Sequence, residues 1–439
     1  MKIFFYIRVI CLLFFGLVFS VESFSQLRIE IRQGVERPIP IAIVPFSWQS
    51  VSNDELFAIH DVIDSDLANS GRFSPLPESN MISRPILPSD VDFDDWRILE
   101  VDALVIGRVI SSGENQFTIF FQLFDIIRGE QLLAFRLVSD RTSFRAAAHK
   151  ISDMIYNELT GISGTFNTQV AYISQLSVAE NTRYRLIVSD IDGENPQIIA
   201  DSPEPLMSPS WSPDATKLAY VSFENNRASV YIQNVIEGTR ILASDRLGIN
   251  GAPSFSPDGR HLALALSRDT GNLDIYMLNI AGQVLTRLTR SPSIDTEPTW
   301  SPDGQEIYFT SDRSGNPQIY KVDTRLGGNV SRVTFEGAYN ARPRVNPSGD
   351  QLAVVHRDSN NNYRIALVDI MSGLTQVLSG GHLDESPSFS PNGSQIIFAT
   401  REDGLGVLSS VSIDGRIRRK IASVVGDVRE PVWSPSFLD

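Results

Sequence analysis

The sequence predicts an α/β N-terminal domain followed by an all-β six-bladed β-propeller whose last blade is closed by strands from both ends of the propeller region. Three observations predict it. One short motif recurs six times at a near-constant interval. The segment before the repeats carries mixed helix and strand patterns with no such period. The two ends of the repeat region each carry part of a unit and complete one another.

The motif is a turn between two strands. It reads Pro209-Ser-Trp-Ser-Pro-Asp214, Pro253-Ser-Phe-Ser-Pro-Asp-Gly259, Pro298-Thr-Trp-Ser-Pro-Asp-Gly304, Pro343-Arg-Val-Asn-Pro-Ser-Gly349, Pro387-Ser-Phe-Ser-Pro-Asn-Gly393 and Pro431-Val-Trp-Ser-Pro435, with leading prolines 44, 45, 45, 44 and 44 residues apart. Ser-Pro-Asp-Gly fits a type I turn, with proline fixing φ at the second position and glycine at the fourth. A second strand follows each turn (Lys217-Leu-Ala-Tyr-Val-Ser222), then a third (Asp274-Ile-Tyr-Met-Leu278) and a short last one. Four short strands per unit is a propeller blade, and a lone blade cannot cover its two faces. Residues 169–200 supply second and third strands without the turn, whereas the last motif starts a blade and stops at Asp439. Joining the two leaves no free sheet edge. The departures are Ala215 for the turn glycine, Ser348 and Asn392 for Asp, and Ser436 in the last turn.

Taken from the start, residues 1–25 read as a signal peptide: Lys2 and Arg8, then an apolar Val9–Phe19, then Ser23 and Ser25 at a cleavage site, with cleavage after Ser20 as the alternative. The apolar run is shorter than the roughly 20 residues a spanning helix needs. The single cysteine, Cys11, lies inside it behind bulky Val9-Ile10, a poor lipidation context. The mature chain therefore depends on core burial without disulfides, as an exported protein directed to the periplasm without membrane insertion.

Residues 26–161 form the mixed α/β domain. Ile39-Pro-Ile-Ala-Ile-Val-Pro45 reads as a strand, and Ser52-Asn-Asp-Glu55 as a capping box before a helix with Leu56, Ile59, Ile63 and Leu67 on one face and Gly71 at its C-cap. Ala103–Gly107, 117–127 and 131–138 read as strands. Phe144, Ala148, Ile151, Ile155 and Leu159 mark a second amphipathic helix ending at Gly161. Residues 162–168 are a Gly/Ser/Thr-rich linker, and 169–439 the propeller.

Composition excludes more than it identifies. With 38 Lys+Arg against 52 Asp+Glu, the charge of −14 repels nucleic acid and anionic lipid. There is no nucleophile elbow, no H-E-x-x-H, no P-loop and no mature cysteine for zinc, so neither catalytic residues, a metal nor a cofactor is expected. Asp190-Ile-Asp-Gly193 matches a hairpin turn better than a calcium loop, and His60, His149, His261, His356 and His382 show no ligand spacing. Trp211, Trp300 and Trp433, aligned with Phe255 and Phe389, read as blade packing. What varies between units is the loop before each motif proline: 206–208, 249–252, 295–297, 340–342, 383–386 and 428–430. Variable loops on a rigid ring suit partner binding.

Five stretches stand out: Leu206-Met-Ser-Pro-Ser-Trp-Ser-Pro-Asp214, Asn250-Gly-Ala-Pro-Ser-Phe-Ser-Pro-Asp-Gly259, Thr296-Glu-Pro-Thr-Trp300, Ile43-Val-Pro-Phe-Ser-Trp48 and Leu159-Thr-Gly-Ile162. With them the sequence resembles the TolB family, the periplasmic propeller components of Tol–Pal systems. The resemblance spans the mature chain and implies a monomeric, non-enzymatic adaptor supporting outer-membrane invagination at division and envelope integrity. It implies that the propeller rim binds the lipoprotein Pal through Met207, Ile249, Ala252 and Thr296. It also implies that the mature N-terminus, Gln26, Leu27, Arg28, Ile29, Glu30 and Ile31, binds the C-terminal domain of TolA. The alternation of Leu27, Ile29 and Ile31 suits strand addition. An exported propeller-type hydrolase, or an accessory to one, is the alternative.

Overall fold

The computed structural model describes residues 37–49, 57–178, 181–268, 271–325, 328–421 and 426–436. The signal peptide, residues 26–34 and the capping box Ser52–Glu55 lie outside them.

The N-terminal region runs β1 (Ile39–Ile43), β2 (Ser47–Gln49), α1 (Ile59–Ser70), β3 (Phe73–Pro75), α2 (Phe93–Ile98), β4 (Ala103–Gly113), β5 (Gln116–Asp125), β6 (Glu130–Ser139) and α3 (Phe144–Thr160). The sheet order is β3-β1-β4-β5-β6, with β2 beside β4. β1 and β4 are parallel in register Ile41↔Ala103, and β4–β5–β6 are antiparallel. Helices α1 and α3 pack together, burying Ile59, Ile63 and Leu67 of one and Phe144, Ala148, Ile151 and Ile155 of the other. Helix α1 begins at Ile59, later than the capping-box reading places it, and Ala58 caps it without a side-chain acceptor. It ends at Gly71, with φ +68°, as α3 ends at Gly161 with φ +71°. The short β2, β3 and α2 were not expected. They are too brief to show a period, and Asp92, accepting from the Asp94 amide at 3.0 Å, fixes the start of α2 locally.

The rest is a six-bladed propeller. Five four-stranded sheets span 206–244, 250–287, 295–332, 340–377 and 385–420, all antiparallel. The sixth pairs Asp427–Trp433 with Gln169–Val178, Asn181–Asp190 and Gln197–Ser202 in that order, so the final strand is the innermost strand of a blade begun some 260 residues earlier. Each motif turn sits at the outgoing end of an innermost strand. In blade two the Gly259 amide donates to the Ser256 carbonyl at 2.9 Å, while the Ser256 hydroxyl accepts from the His261 amide at 3.0 Å. A Cβ on Gly259, Gly304, Gly349 or Gly393 would meet the turn proline of the preceding blade at 3.3–3.8 Å, so the turns stack side by side around the ring. The tryptophans stitch neighbouring blades. The indole N–H of Trp211 donates to Val432 O at 3.1 Å and that of Trp300 to Ser254 O at 3.0 Å.

The N-terminal region docks on the turn face at blades five and six. Arg419 donates to the Ala68 carbonyl at the end of α1 (3.0 Å), and Asn392, in the turn of blade five, to Ser163 O (2.7 Å). Gly71 must be glycine twice over: φ is positive, and a Cβ there would stand 2.6 Å from Ile417 Cδ1. Residues 162–168, expected as a linker, are held down: Asp153 of α3 accepts from the Phe166 and Asn167 amides at 2.7 and 3.2 Å.

Candidate functional site

The rim opposite the turns is built by the incoming ends of the six innermost strands. Each strand carries a register shift there, between Met207 and Ser210, Gly251 and Ser254, Thr296 and Thr299, Ala341 and Arg344, Glu385 and Ser388, and Arg429 and Val432. The motif contributes to the shift: proline cannot donate to the ladder, and it disfavours the right-handed helical region for the residue before it. That preceding residue is instead left-handed in every blade: Ser208 (51°), Ala252 (47°), Glu297 (54°), Arg342 (53°), Ser386 (56°) and Glu430 (51°). None is glycine, so each holds roughly 1–2 kcal/mol of backbone strain. Strained backbone that recurs at one level of a ring marks a position the scaffold over-determines.

Five of these residues form one charged network. Arg342 donates through Nε to Glu297 Oε1 at 2.9 Å, through Nη2 to Glu430 Oε1 at 3.2 Å, and through Nη1 to the Ser386 hydroxyl. Glu430 in turn accepts from the Ser208 amide, and Glu297 accepts from Thr310 Oγ1 at 2.9 Å. Five blades are thus tied across the axis. Burial works against the Arg342 charge, but Glu297, Glu430 and Glu385 outweigh it and raise its pKa. The axis therefore holds a permanent guanidinium between two carboxylates.

The four rim residues singled out in the sequence lie on one arc, at blades one to three. Met207 is 39% exposed and Ile249 52% exposed. Ala252 is itself a left-handed bulge residue, and Thr296 stands next to another, Glu297; both are half-buried. Ile249 fits as an apolar member: the loops leading into the strands expose Leu247 (83%), Ile294, Phe335 (67%) and Leu383 as well, so large apolar side chains recur around the rim. Sequence reasoning missed Leu247, Ile294 and Phe335, although each lies in the stretch before a motif proline. It also counted as partner-facing some loop residues that are internal fasteners. Asn250 is buried and donates to Arg246 O at 2.7 Å, and Asn340 likewise donates to Glu336 O at 2.8 Å. Asp295 accepts both bonds of Arg313 at 2.7 Å, and Asp384 accepts from the Gly381 amide at 3.0 Å. The positions of Gln26 to Ile31 lie outside the described residues. Trp211, Trp300 and Trp433 are buried between blades, as expected.

Comparison with known proteins agrees with this architecture. A family model described as the TolB beta propeller domain matches residues 156–437, and one described as the TolB amino-terminal domain matches 27–132. The Tol-Pal system protein TolB of Xanthomonas campestris pv. campestris is 46% identical over 425 residues, 96% of each chain. That of Xanthomonas oryzae pv. oryzae is 46% identical over 411 residues, 93% of each chain. The crystal structure of TolB from Acinetobacter baumannii superposes with a TM-score of 0.83 at 40% identity, covering 91% of this chain and 97% of that one.

Proposed function

The chain belongs to the TolB family and is a non-enzymatic component of the Tol–Pal system, and from that premise we propose that it acts in the periplasm as an adaptor between two partners. The propeller rim binds the lipoprotein Pal, and the mature N-terminal segment Gln26–Ile31 binds the C-terminal domain of TolA, in support of outer-membrane invagination and integrity. Family membership displaces the hydrolase alternative.

The observation that carries the rim assignment is the band of exposed apolar side chains, Met207, Leu247, Ile249, Ile294 and Phe335, set on a rigid strained ring. Apolar residues gathered at one end of a scaffold favour a protein partner over a charged or small polar ligand. Among the described residues, the contacts of the docked α/β region fall on the opposite face. Deleting residues 26–34 tests the division of labour. Binding to the TolA C-terminal domain should vanish while Pal binding stays measurable; loss of both in a folded protein contradicts the reading.

A further inference from the structure

Where helix α3 meets blade six, five ionisable side chains surround one histidine. His149, on α3, is 3% exposed. Its Nδ1 lies 2.8 Å from Asp66 Oδ2 of α1, itself 4% exposed. Its Nε2 has no hydrogen-bond partner among the described residues. That nitrogen faces Asp190 Oδ2 at 3.9 Å and Asp192 Oδ2 at 4.0 Å, from the strand end and hairpin turn of blade six. One helical turn before His149, Arg145 donates through Nε to Asp190 Oδ2 at 2.9 Å and through Nη2 to Asp192. One turn after it, Asp153 faces the same cluster while holding residues 166 and 167. The aspartate pair read in the sequence as a plain hairpin turn is thus also half of an inter-element contact.

The charges do not balance without a further positive group. Among the described residues, Asp66, Asp153, Asp190 and Asp192 are opposed by one guanidinium, that of Arg145. Uncompensated charge shielded from water is unfavourable, and taking up a proton is the common remedy. Asp66, His149 and Asp192 do bring ligand-type atoms within 4.8 Å of one another. However, the Asp66 oxygen is taken by His149 Nδ1, and the Asp190 and Asp192 oxygens facing Nε2 already accept from Arg145. A metal there would bring two or more positive charges beside that guanidinium, whereas a proton on His149 brings one, which Arg145 opposes but Asp66 and Asp192 outweigh.

We propose that His149 is a proton-loaded clasp: its imidazolium donates to Asp66 and faces Asp190 and Asp192, tying α1 and α3 to blade six, so that docking of the α/β region on the propeller tightens as pH falls and loosens as pH rises. The titrations around it run the same way. Burial opposes the His149 charge, but the bond to Asp66 and the charges of Asp66 and Asp192 prevail and raise its pKa above 6.5. Burial pushes Asp153 up to about 6 and raises Asp190 as well. A group whose pKa is higher folded than unfolded contributes fully below its unfolded value, and that contribution is lost as pH rises through the folded one. For Asp153 the loss falls between 3.8 and about 6, and for His149 it starts above 6.5.

The test compares the full mature chain with His149→Gln, metal-free, across pH 5.5 to 9. The wild type should melt about 2 °C or more above the variant near pH 6, and the gap should close by pH 9. A gap independent of pH overturns the proposal. Should the variant fail to fold, the wild type alone decides. Its His149 imidazole resonance should titrate above the ordinary histidine value, and amide protection in α1 and α3, corrected for intrinsic exchange, should fall with rising pH. Titration at or below 6.5 overturns it. Adding Zn2+ at pH 7.5 forms the last arm: His149-dependent stabilisation by the metal would assign the cluster to a cation and overturn the proton reading, and no effect supports it.

Discussion

The indole Nε1 of Trp433 donates to the hydroxyl of Thr168 at 2.8 Å, across 265 residues of chain. Both residues are buried, and they belong to the closing strand and to the residue just before the strand it pairs with. The contact fastens the ring. Trp433→Ala should cost about 3–5 kcal/mol, as large-to-small aromatic changes in cores do, whereas Trp433→Phe should cost about 1 kcal/mol by removing one of the two hydrogen bonds of the Thr168 hydroxyl, which keeps its bond to Thr165 O. Urea unfolding of the two variants checks both values.

Among the turns that lie within the described residues, Ala215 stands where the others have glycine. It takes φ +54° where the aligned Gly259, Gly304 and Gly393 take 68°, 71° and 71°. Ala215→Gly should relieve left-handed strain in excess of the entropy glycine adds, for a gain of about 0.5–1 kcal/mol. Gly304→Ala should lose a similar amount. Melting curves of the pair would show opposite signs.

Removing the axial guanidinium should cost more than either. Arg342→Met takes away the guanidinium that Glu297 and Glu430 bind directly and leaves them the more distant charge of Arg344, a loss of about 3 kcal/mol. The double variant Arg342→Met/Glu297→Gln should recover part of it, because one of the stranded charges is gone. A double-mutant cycle from denaturation midpoints reads the coupling.

For the rim, Ala252→Arg and Thr296→Arg should each weaken Pal at least tenfold, or about 1.4 kcal/mol, while changing the melting temperature little. Ala252 already carries a Cβ at positive φ, so a longer side chain there adds bulk at the surface and not new backbone strain. Calorimetric titration with purified Pal is the check. Unchanged affinity in both variants would move the interface off blades one to three.

How much of this was readable from the chain alone follows from distance along it. The blade turn is local: serine, proline, aspartate and glycine within four residues specify it, so six copies disclosed the ring and the shared last blade. The rim strain is nearly local, because it comes from the residue before each motif proline, but an extended strand carrying one extra residue looks like any other until its register is seen. The axial network and the histidine cluster are not local at all. Arg342 and Glu430 are 88 residues apart, and His149 and Asp66 are 83 apart. No spacing rule joins them; only the fold does.

A ring whose first blade-forming residues wait for the last strand has a consequence for how the molecule comes into being. Until Asp427–Trp433 arrives to pair with Gln169–Val178, the earlier strand presents open backbone donors and acceptors to any passing β-structure. A chain cut short by even one strand is therefore an exposed template for aggregation or proteolysis, so completeness of synthesis is audited by the architecture itself.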